Sequence, residues 1–472
     1  MKIKYFESAE FVNEIVQQSI NHNLIKYSLF MKFISEYAPI EEDRILAKNS
    51  YQKSKNIPSG ALGALFSDPS FCFWIYLAGC IQQRIENNEI IPTTDIPYLA
   101  YYTGDVENRI VEIHLLELNR FLLSASMLSR TNIDCELLVL NNNIFVPHYA
   151  ISIHIPGNKD RVHVELDFLN NNSIKLIDEF EITNLDELLF TCEKGGIIES
   201  ANSNIYIENT LLGTGGKIVV DSMDPYITSG WSSIYKNPDG SAYKLLTENE
   251  SRISYDEILR GYNEIKLVWP EMEFTISTLI RTVHVINSPY PDRHMSCTSD
   301  QFFGSILLSR GNEFLIAEAL VHEYSHNILN MIIKSGDIFD GPAPMDEIYY
   351  SPWREDARHI SGVFHAVFVF TNVSQLLEKL SQKYPANHYL MERKLDNLFR
   401  LELGIEVLKE FNFSKSLAQI FVKELAVEIS LLKRNYAEYD RSVLIESQKS
   451  HLRKWSQNHP KLQLPEFLKN VM

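Results

Sequence analysis

The sequence has few cysteines and no long hydrophobic run, and each shortage excludes a class of protein. Its cysteines, Cys72, Cys80, Cys135, Cys192 and Cys297, are odd in number, scattered and without a C-x-x-C pair. Neither a disulfide framework nor a zinc–cysteine site is indicated, and a reducing compartment fits best. The N-terminus lacks a continuous apolar core, and the longest apolar runs fall far short of a membrane span. We therefore expect a cytoplasmic protein without a membrane partner.

Basic residues are also scarce. The 44 lysines and arginines stand against 61 aspartates and glutamates, which gives a formal net charge of −17. Such a surface repels a phosphate backbone, so we expect no nucleic-acid partner, whereas a basic peptide remains possible. The 472 residues are 45% hydrophobic and 22% charged, an ordinary soluble composition with enough length for two to four core-bearing units.

The spacing of apolar residues predicts an α+β fold with four regions. In residues 1–130 apolar positions recur every three and four residues, as in helices, and residues 131–224 contain short alternating runs typical of antiparallel strands. Residues 225–383 contain a helix, a strand-like segment at 275–288 and two apolar segments with histidines, described below, that we expect to form a metal-binding catalytic core. Residues 384–472 are helical again. We expect these regions to pack as one continuous body.

One apolar stretch, EFLIAEALVHEYSHNILNMIIK at 313–334, contains His322, Glu323 and His326 in the pattern H-E-x-x-H. On a helix, residues four apart lie on the same face, so both imidazoles can face one metal ion with the glutamate beside them. The surrounding residues predict a buried helix, in which polar side chains need partners. The alternative is a pair of core histidines hydrogen-bonded to nearby backbone.

A metal ion needs at least a third protein ligand, and two familiar arrangements do not fit. The metzincin pattern requires glycine and histidine where this chain has Leu329 and Ile332. A thermolysin-like arrangement requires a glutamate followed four residues later by an acidic residue, and neither Glu347 nor Glu355 meets this condition.

A second apolar segment offers His365 as the third ligand. Gly362 lies three residues earlier on the same predicted helical face and would let this helix approach the first one closely. We prefer His365 over Asp356, His359 and Glu355.

Three stretches then resemble a known family: HEYSH at 322–326, SPWREDARHISGVFHAVF at 351–368 and SCTSDQFFGSILLSR at 296–310. They are similar to the bacterial HExxH-motif peptide-modification family that accompanies ribosomally synthesised, post-translationally modified peptides. The chain departs from that pattern at His359, where a proline is expected. The resemblance implies an Fe(II)- and 2-oxoglutarate-dependent dioxygenase that β-hydroxylates a side chain of a precursor peptide with O2. It also implies that metalloprotease-like helices are used for oxidation.

The chemistry of such an oxygenase agrees with the residues present. A non-haem Fe(II) site uses three facial ligands and leaves positions for the keto acid and O2. The distal carboxylate of 2-oxoglutarate needs a cation, and arginine binds carboxylates through two parallel hydrogen bonds. Arg354 and Arg358 flank the predicted start of the second helix, and Arg358 is preferred because it lies two turns from His365. The alternative for both arginines is a salt bridge to a neighbouring acidic residue.

The role of Glu323 separates the competing functions. In a zinc-dependent HExxH metallopeptidase it is the general base that deprotonates metal-bound water. In the oxygenase it would accept a hydrogen bond from a metal ligand, orient the peptide substrate, or contact the metal ion itself. A third possibility is a non-catalytic protein that binds a precursor peptide and holds a structural metal in a closed site. The sequence favours the oxygenase and does not indicate an oligomeric state.

Overall fold

The computed structural model describes residues 8–176, 180–194, 205–207, 209–222, 224–237, 239–288, 290, 293–334, 338–339, 348–434, 442–460, 462 and 466–469. Over these residues the chain is a mixed α+β protein with several antiparallel sheets, as the sequence predicts. It divides into two units. The sheet unit comprises Asn13–Leu259 and Ser277–Gly311, and the histidine unit comprises Met1–Val12, Arg260–Ile276 and Asn312–Met472.

Helices occupy both ends of the chain, and most strands lie between them. The α-helices, α1 to α15 in chain order, are Ala9–Tyr37, Glu41–Lys55, Ser59–Phe66, Pro69–Glu86, Ile110–Ser129, Leu185–Lys194, Pro225–Ile234, Glu248–Val268, Pro270–Leu279, Glu313–Lys334, Ile360–Lys383, His388–Glu410, Ser416–Lys433, Ser442–Asn458 and Glu466–Lys469. The strands, β1 to β14, are Ile133–Leu138, Asn143–Val146, Ile151–His154, Arg161–Asp167, Ser173–Leu176, Phe180–Thr183, Ile205–Ile207, Asn209–Leu212, Lys217–Asp221, Thr282–Ile286, Ser296–Cys297, Ser305–Ser309, Ile348–Ser351 and Arg354–His359.

The sheet unit contains three of the sheets. Two are antiparallel, with strand orders β1-β4-β5-β6 and β2-β3-β7. The third has the order β11-β12-β10-β9-β8, and β10 pairs in parallel with both β9 and β12. In β4 the residues Val162, Val164 and Leu166 are buried while His163 and Glu165 are exposed, because successive side chains of a strand point to opposite faces.

The core of the sheet unit surrounds α5, which is buried along nearly its whole length. The His114 ring stacks on Trp74, with centroids 4.5 Å apart and an interplanar angle of 4°, and the Tyr98 hydroxyl lies 3.1 Å from His114 Nδ1. Arg120 on the same helix is 4% exposed and pairs with Glu117 at 2.6 Å and Asp224 at 3.3 Å. These ion pairs offset part of the cost of burying the charged groups.

The predicted strand at 275–288 is wrong in its first half. Helix α9 covers residues up to Leu279, and only Thr282–Ile286 forms a strand. Met272, Ile276 and Leu279 are each at most 2% exposed and recur at helical spacing. Burial of this helical face outweighs the preference of threonine and isoleucine for strands, which is weak.

In the histidine unit, α10 packs against α11, and α11 packs against α12 and α13. The hairpin of β13 and β14 immediately precedes α11. Gly261 lets α8 approach α10, because a Cβ at that position would lie 2.5 Å from Ile316 Cγ2.

One helix among the described residues, α11, is long and apolar enough by length and composition to cross a membrane. However, 67% of its most apolar window is buried inside the protein. The bent pair of α3 and α4, with an angle of 76°, meets the same criteria together. Such burial is typical of a core helix in a soluble protein.

Candidate metal centre

The first two predicted ligands lie one turn apart on α10. The rings of His322 and His326 have centroids 4.9 Å apart. The helix is buried around them, including Ser325 and Asn327. Their common orientation follows from the four-residue spacing that the sequence shows.

The third predicted ligand, His365, faces His326 from α11. Their Nδ1 atoms are 3.2 Å apart, and the rings are nearly parallel with centroids separated by 5.4 Å. Two turns further along α11, Asn372 donates a hydrogen bond to Ser325 Oγ on α10 at 3.0 Å. This buried bond holds the two helices at the offset that brings His365 to His326.

The spacing of the Nδ1 pair fits a shared metal ion. Two nitrogens that each lie about 2.1 Å from one ion, at angles of about 90° to 109°, are about 3.0 to 3.4 Å apart. No choice of one nitrogen from each of the three rings brings all three within 4.8 Å of one another. Coordination by all three rings therefore requires the side chains to rotate.

Among the described residues, a second group does meet that 4.8 Å spacing: Asp134, His163 and Glu165. They lie on paired strands β1 and β4, and His163 Nε2 is 2.7 Å from Asp134 Oδ1. All three side chains are exposed, and such surface groups are common without a metal ion.

The histidines on α10 are suited to act as ligands because they are neutral. Burial lowers the pKa of His322 to about 4, and the nearby charge of Arg393 contributes to this lowering. Burial first, and then the neighbouring His322 and His365, lower the pKa of His326 well below its ordinary value. At neutral pH both rings have an unprotonated nitrogen available for a metal ion.

These histidines line a cavity of about 560 Å³, here called the histidine cavity. Its lining residues are His322, His326, Ser351, Trp353, Arg354, Arg358, Gly362, His365, Ala366, Phe370, Arg393, Asp396, Asn397 and Arg400. The structure therefore brings together the three predicted ligands and both predicted arginines.

Glu323 occupies a different position from the other predicted site residues. Its side chain is buried, it does not belong to the cavity lining, and its Oε1 lies 3.9 Å from His322 Nε2. The carboxylate therefore lies beside the first predicted ligand, His322, rather than in the lining of the cavity.

The two predicted arginines lie on strand β14 and not at the start of a helix. The expected two-turn spacing between Arg358 and His365 is therefore wrong, since only His365 belongs to α11. Arg358 Nε is 2.8 Å from Asp356 Oδ2, and Arg354 Nε is 3.3 Å from Asp356 Oδ1. Partial burial acts to raise the pKa of Asp356. Its backbone hydrogen bond and the charges of Arg358 and Arg354 together outweigh this effect, so the pKa lies below its ordinary value.

The other candidates for the third ligand have different partners. Glu355 pairs with Lys454 at 3.1 Å, and Asp356 pairs with the arginines. His359 caps α11, because its Nδ1 accepts a hydrogen bond from the Ser361 backbone N–H at 3.3 Å. The histidine that replaces the expected proline thus has a local structural role.

The predicted role of Gly362 in close helix packing is wrong. The nearest atoms to a Cβ at this position belong to Arg358, and the shortest distance is an ordinary 3.6 Å. The close approach occurs instead at Gly404 on α12, where a Cβ would lie 2.8 Å from Trp353 and 2.9 Å from Val367.

Sequence reasoning missed the contribution of α12. Arg393, Asp396, Asn397 and Arg400 line the histidine cavity, and their spacing of three, four and seven residues places them on one helical face. Arg393 Nη2 pairs with Glu318 at 2.5 Å, and Arg400 Nε pairs with Asp396 at 3.0 Å. A polar stripe on a helix with buried apolar residues on both sides was the available signal.

Comparison with known proteins does not assign the chain to a family. Neither the family models nor the curated proteins match it. The resemblance to the HExxH-motif peptide-modification family stays a prediction.

Proposed function

We propose that this protein is an Fe(II)- and 2-oxoglutarate-dependent oxygenase that β-hydroxylates a side chain of a ribosomally made precursor peptide. In this proposal, α10 and α11 are metalloprotease-like helices that serve oxidation rather than hydrolysis. The observation that supports it best is the common cavity of His322, His326 and His365 with Arg354 and Arg358.

Three neutral imidazoles suit a site with vacant positions. His322, His326 and His365 would hold the iron, which when bound supplies the activation of O2 coupled to oxidation of 2-oxoglutarate to succinate and CO2. Three protein ligands leave positions for a co-substrate, in contrast to a closed structural site. The cavity of about 560 Å³ has the size of ordinary small-molecule sites.

The arginines of β14 are suited to bind the distal carboxylate of the co-substrate. Arg354 and Arg358 share the single carboxylate of Asp356. One positive charge therefore remains after this pairing, and a second carboxylate can neutralise it.

Two aromatic rings form an apolar part of the wall of the same cavity. Trp353 stacks on Phe370 with centroids 5.1 Å apart and an interplanar angle of 4°, and the Phe370 ring meets His322 edge-on at 5.1 Å. A substrate that covers these rings would displace water, which strengthens polar contacts with the bound ligand and reduces side reactions.

A zinc peptidase is the second candidate, since Glu323 lies 3.9 Å from His322. A general base must reach the water that it deprotonates. The buried carboxylate of Glu323 does not belong to the cavity lining, which favours the oxygenase.

The deciding experiment uses protein purified without oxygen and loaded with Fe(II). Incubation with 2-oxoglutarate and candidate precursor peptides, followed by exposure to air, should add one oxygen atom to a peptide and release one succinate per modification. Mass spectrometry of the peptide and quantification of succinate measure both products.

Two control variants make this result specific. His365→Ala should abolish both products, whereas His359→Asn, which keeps a capping side chain outside the cavity lining, should retain them. Backbone cleavage by the zinc-loaded protein would instead support the peptidase. Failure of the iron-loaded protein to turn over 2-oxoglutarate with any peptide would contradict the oxygenase.

A further inference from the structure

Among the described residues, two buried donors in the lining of the histidine cavity have neither a hydrogen-bond acceptor nor an ion-pair partner. Arg358 Nε also lacks an acceptor but is ion-paired with Asp356. Asn397 is 1% exposed, and its Nδ2 has no hydrogen-bond partner among the described residues. The indole Nε1 of Trp353 is also buried and has no hydrogen-bond partner among these residues. Buried donors without acceptors are rare because each one loses its hydrogen bonds to water without replacement.

Packing holds both donors in place. Trp353 stacks on Phe370 and lies against α12 at Gly404, seven residues or two turns beyond Asn397. Asn397 is followed on the same helical face by Arg400, which donates to the backbone oxygen of Pro352 at 3.0 Å.

The cavity wall is rich in donors and positive charge. Its arginines are Arg354, Arg358, Arg393 and Arg400. Three carboxylates pair with them, those of Asp356, Asp396 and Glu318. One positive charge is therefore left over, although the whole chain has a net charge of −17. A ligand that matches this wall supplies acceptor oxygens and one negative charge.

We propose that Asn397 and Trp353 bind a carboxylate group of the ligand that enters the histidine cavity, with the excess arginine charge as its counter-ion. This inference rests on the proposed function, because it specifies what the same site holds. The carboxylate comes either from the 2-oxo acid or from an aspartate or glutamate side chain of the peptide. A carboxylate has two oxygens that can accept hydrogen bonds from these donors, and hydrogen bonds to a charged acceptor are the strong ones.

The test measures binding and does not depend on turnover. Isothermal titration without oxygen uses Fe(II)-loaded protein and four probes: 2-oxoglutarate, succinate, the capped pentapeptide Gly-Gly-Asp-Gly-Gly and its Asn counterpart. The variants are Asn397→Leu and Trp353→Phe, which remove one donor each and keep an apolar or aromatic side chain. Glu392→Gln, an exposed position on the same helix, is the matched control.

Both variants should weaken the same carboxylate probe by about tenfold, with the control unchanged. Weaker binding of 2-oxoglutarate and succinate assigns the site to the co-substrate. Weaker binding of the Asp peptide, with the Asn peptide unaffected in every protein, assigns it to an acidic substrate residue. Thermal melting of Asn397→Leu should not fall, because the substitution removes an unpaired buried donor.

The inference is overturned if the wild type binds none of the carboxylate probes or if both variants bind them as the wild type does. Its failure differs from failure of the proposed function. Loss of carboxylate binding in the variants without any peptide oxidation by the wild type would reject the oxygenase and retain the carboxylate site. Peptide oxidation by the wild type, with unchanged carboxylate binding in both variants, would retain the oxygenase and reject the carboxylate site.

Discussion

At the scale of single residues, burial determines the protonation state of the predicted ligands. Folding places His322 and His326 where a charged imidazolium is unfavourable, and the lowered pKa values of both rings keep them unprotonated well below neutral pH. Glu323, next in sequence to His322, is also buried but is absent from the cavity lining. Adjacent residues of one motif thus differ in position because a helix turns each side chain to a different face.

The third ligand can be tested without any substrate. His365→Ala removes the nitrogen that lies 3.2 Å from His326, so Fe(II) affinity should fall by about 100-fold or more, a larger effect than loss of an outer partner of a ligand. Competition with a chromophoric chelator under anaerobic conditions measures the affinity. His359→Asn is the matched control and should load iron normally. A His365→Ala protein with wild-type affinity would show that the third ligand is a different residue.

At the scale of elements, α12 contributes four residues to the wall of the histidine cavity. Its polar stripe follows a 3.6-residue period, so its existence is visible in the sequence, but its neighbours are not. The same distinction applies to Gly362 and Gly404, both helical glycines, of which only Gly404 has side chains within 3 Å of the position that a Cβ would occupy. A glycine that permits close packing cannot be told from its own sequence context.

Substitution at Gly404 tests this close packing. Gly404→Ala places a methyl group within 2.9 Å of Trp353 and Val367, and we expect a loss of about 1–3 kcal/mol in the free energy of unfolding from overpacking. Urea unfolding followed by circular dichroism measures it. Gly79→Ala, in α4, meets nothing within 4 Å and should instead gain about 0.5–1 kcal/mol from helix propensity. Equal effects of the two substitutions would refute the packing argument.

At the scale of the whole molecule, stability depends on groups far from the candidate site in sequence. Burial lowers the pKa of His114 to about 3, against which its hydrogen-bonding environment acts only weakly. The pKa values of Glu117 and Asp224 shift in the opposite direction, because burial raises them to about 7 and about 6. The pH dependence of unfolding is the sum of such opposing contributions.

A comparison of variants isolates the histidine. His114 is neutral in the folded protein and takes up a proton below pH 6.5 once unfolded, so its contribution is present above pH 6.5 and is lost as the pH falls toward 3. The unfolding free energy of the wild type minus that of His114→Gln should therefore decrease by about 1.4 kcal/mol for each unit by which the pH falls within that range. Urea unfolding at a series of pH values measures it, and the buried carboxyls cancel in the difference. A difference independent of pH would show that His114 has the same pKa in the folded and unfolded states.

The sequence by itself determined those features that follow from local periodicity and residue chemistry. These are the mixed α+β class, the shared face of His322 and His326, and the presence of His365 and two arginines on the segment that follows. The tertiary structure alone decided which faces meet: that His365 lies against His326, that α12 adds Asn397 to the cavity, and that Glu323 lies outside its lining. It also decided that residues 275–279 are helical and 354–358 extended. The reason is physical, since a period defines a face of a helix or strand, whereas the partner of that face is selected by packing among segments distant in the chain.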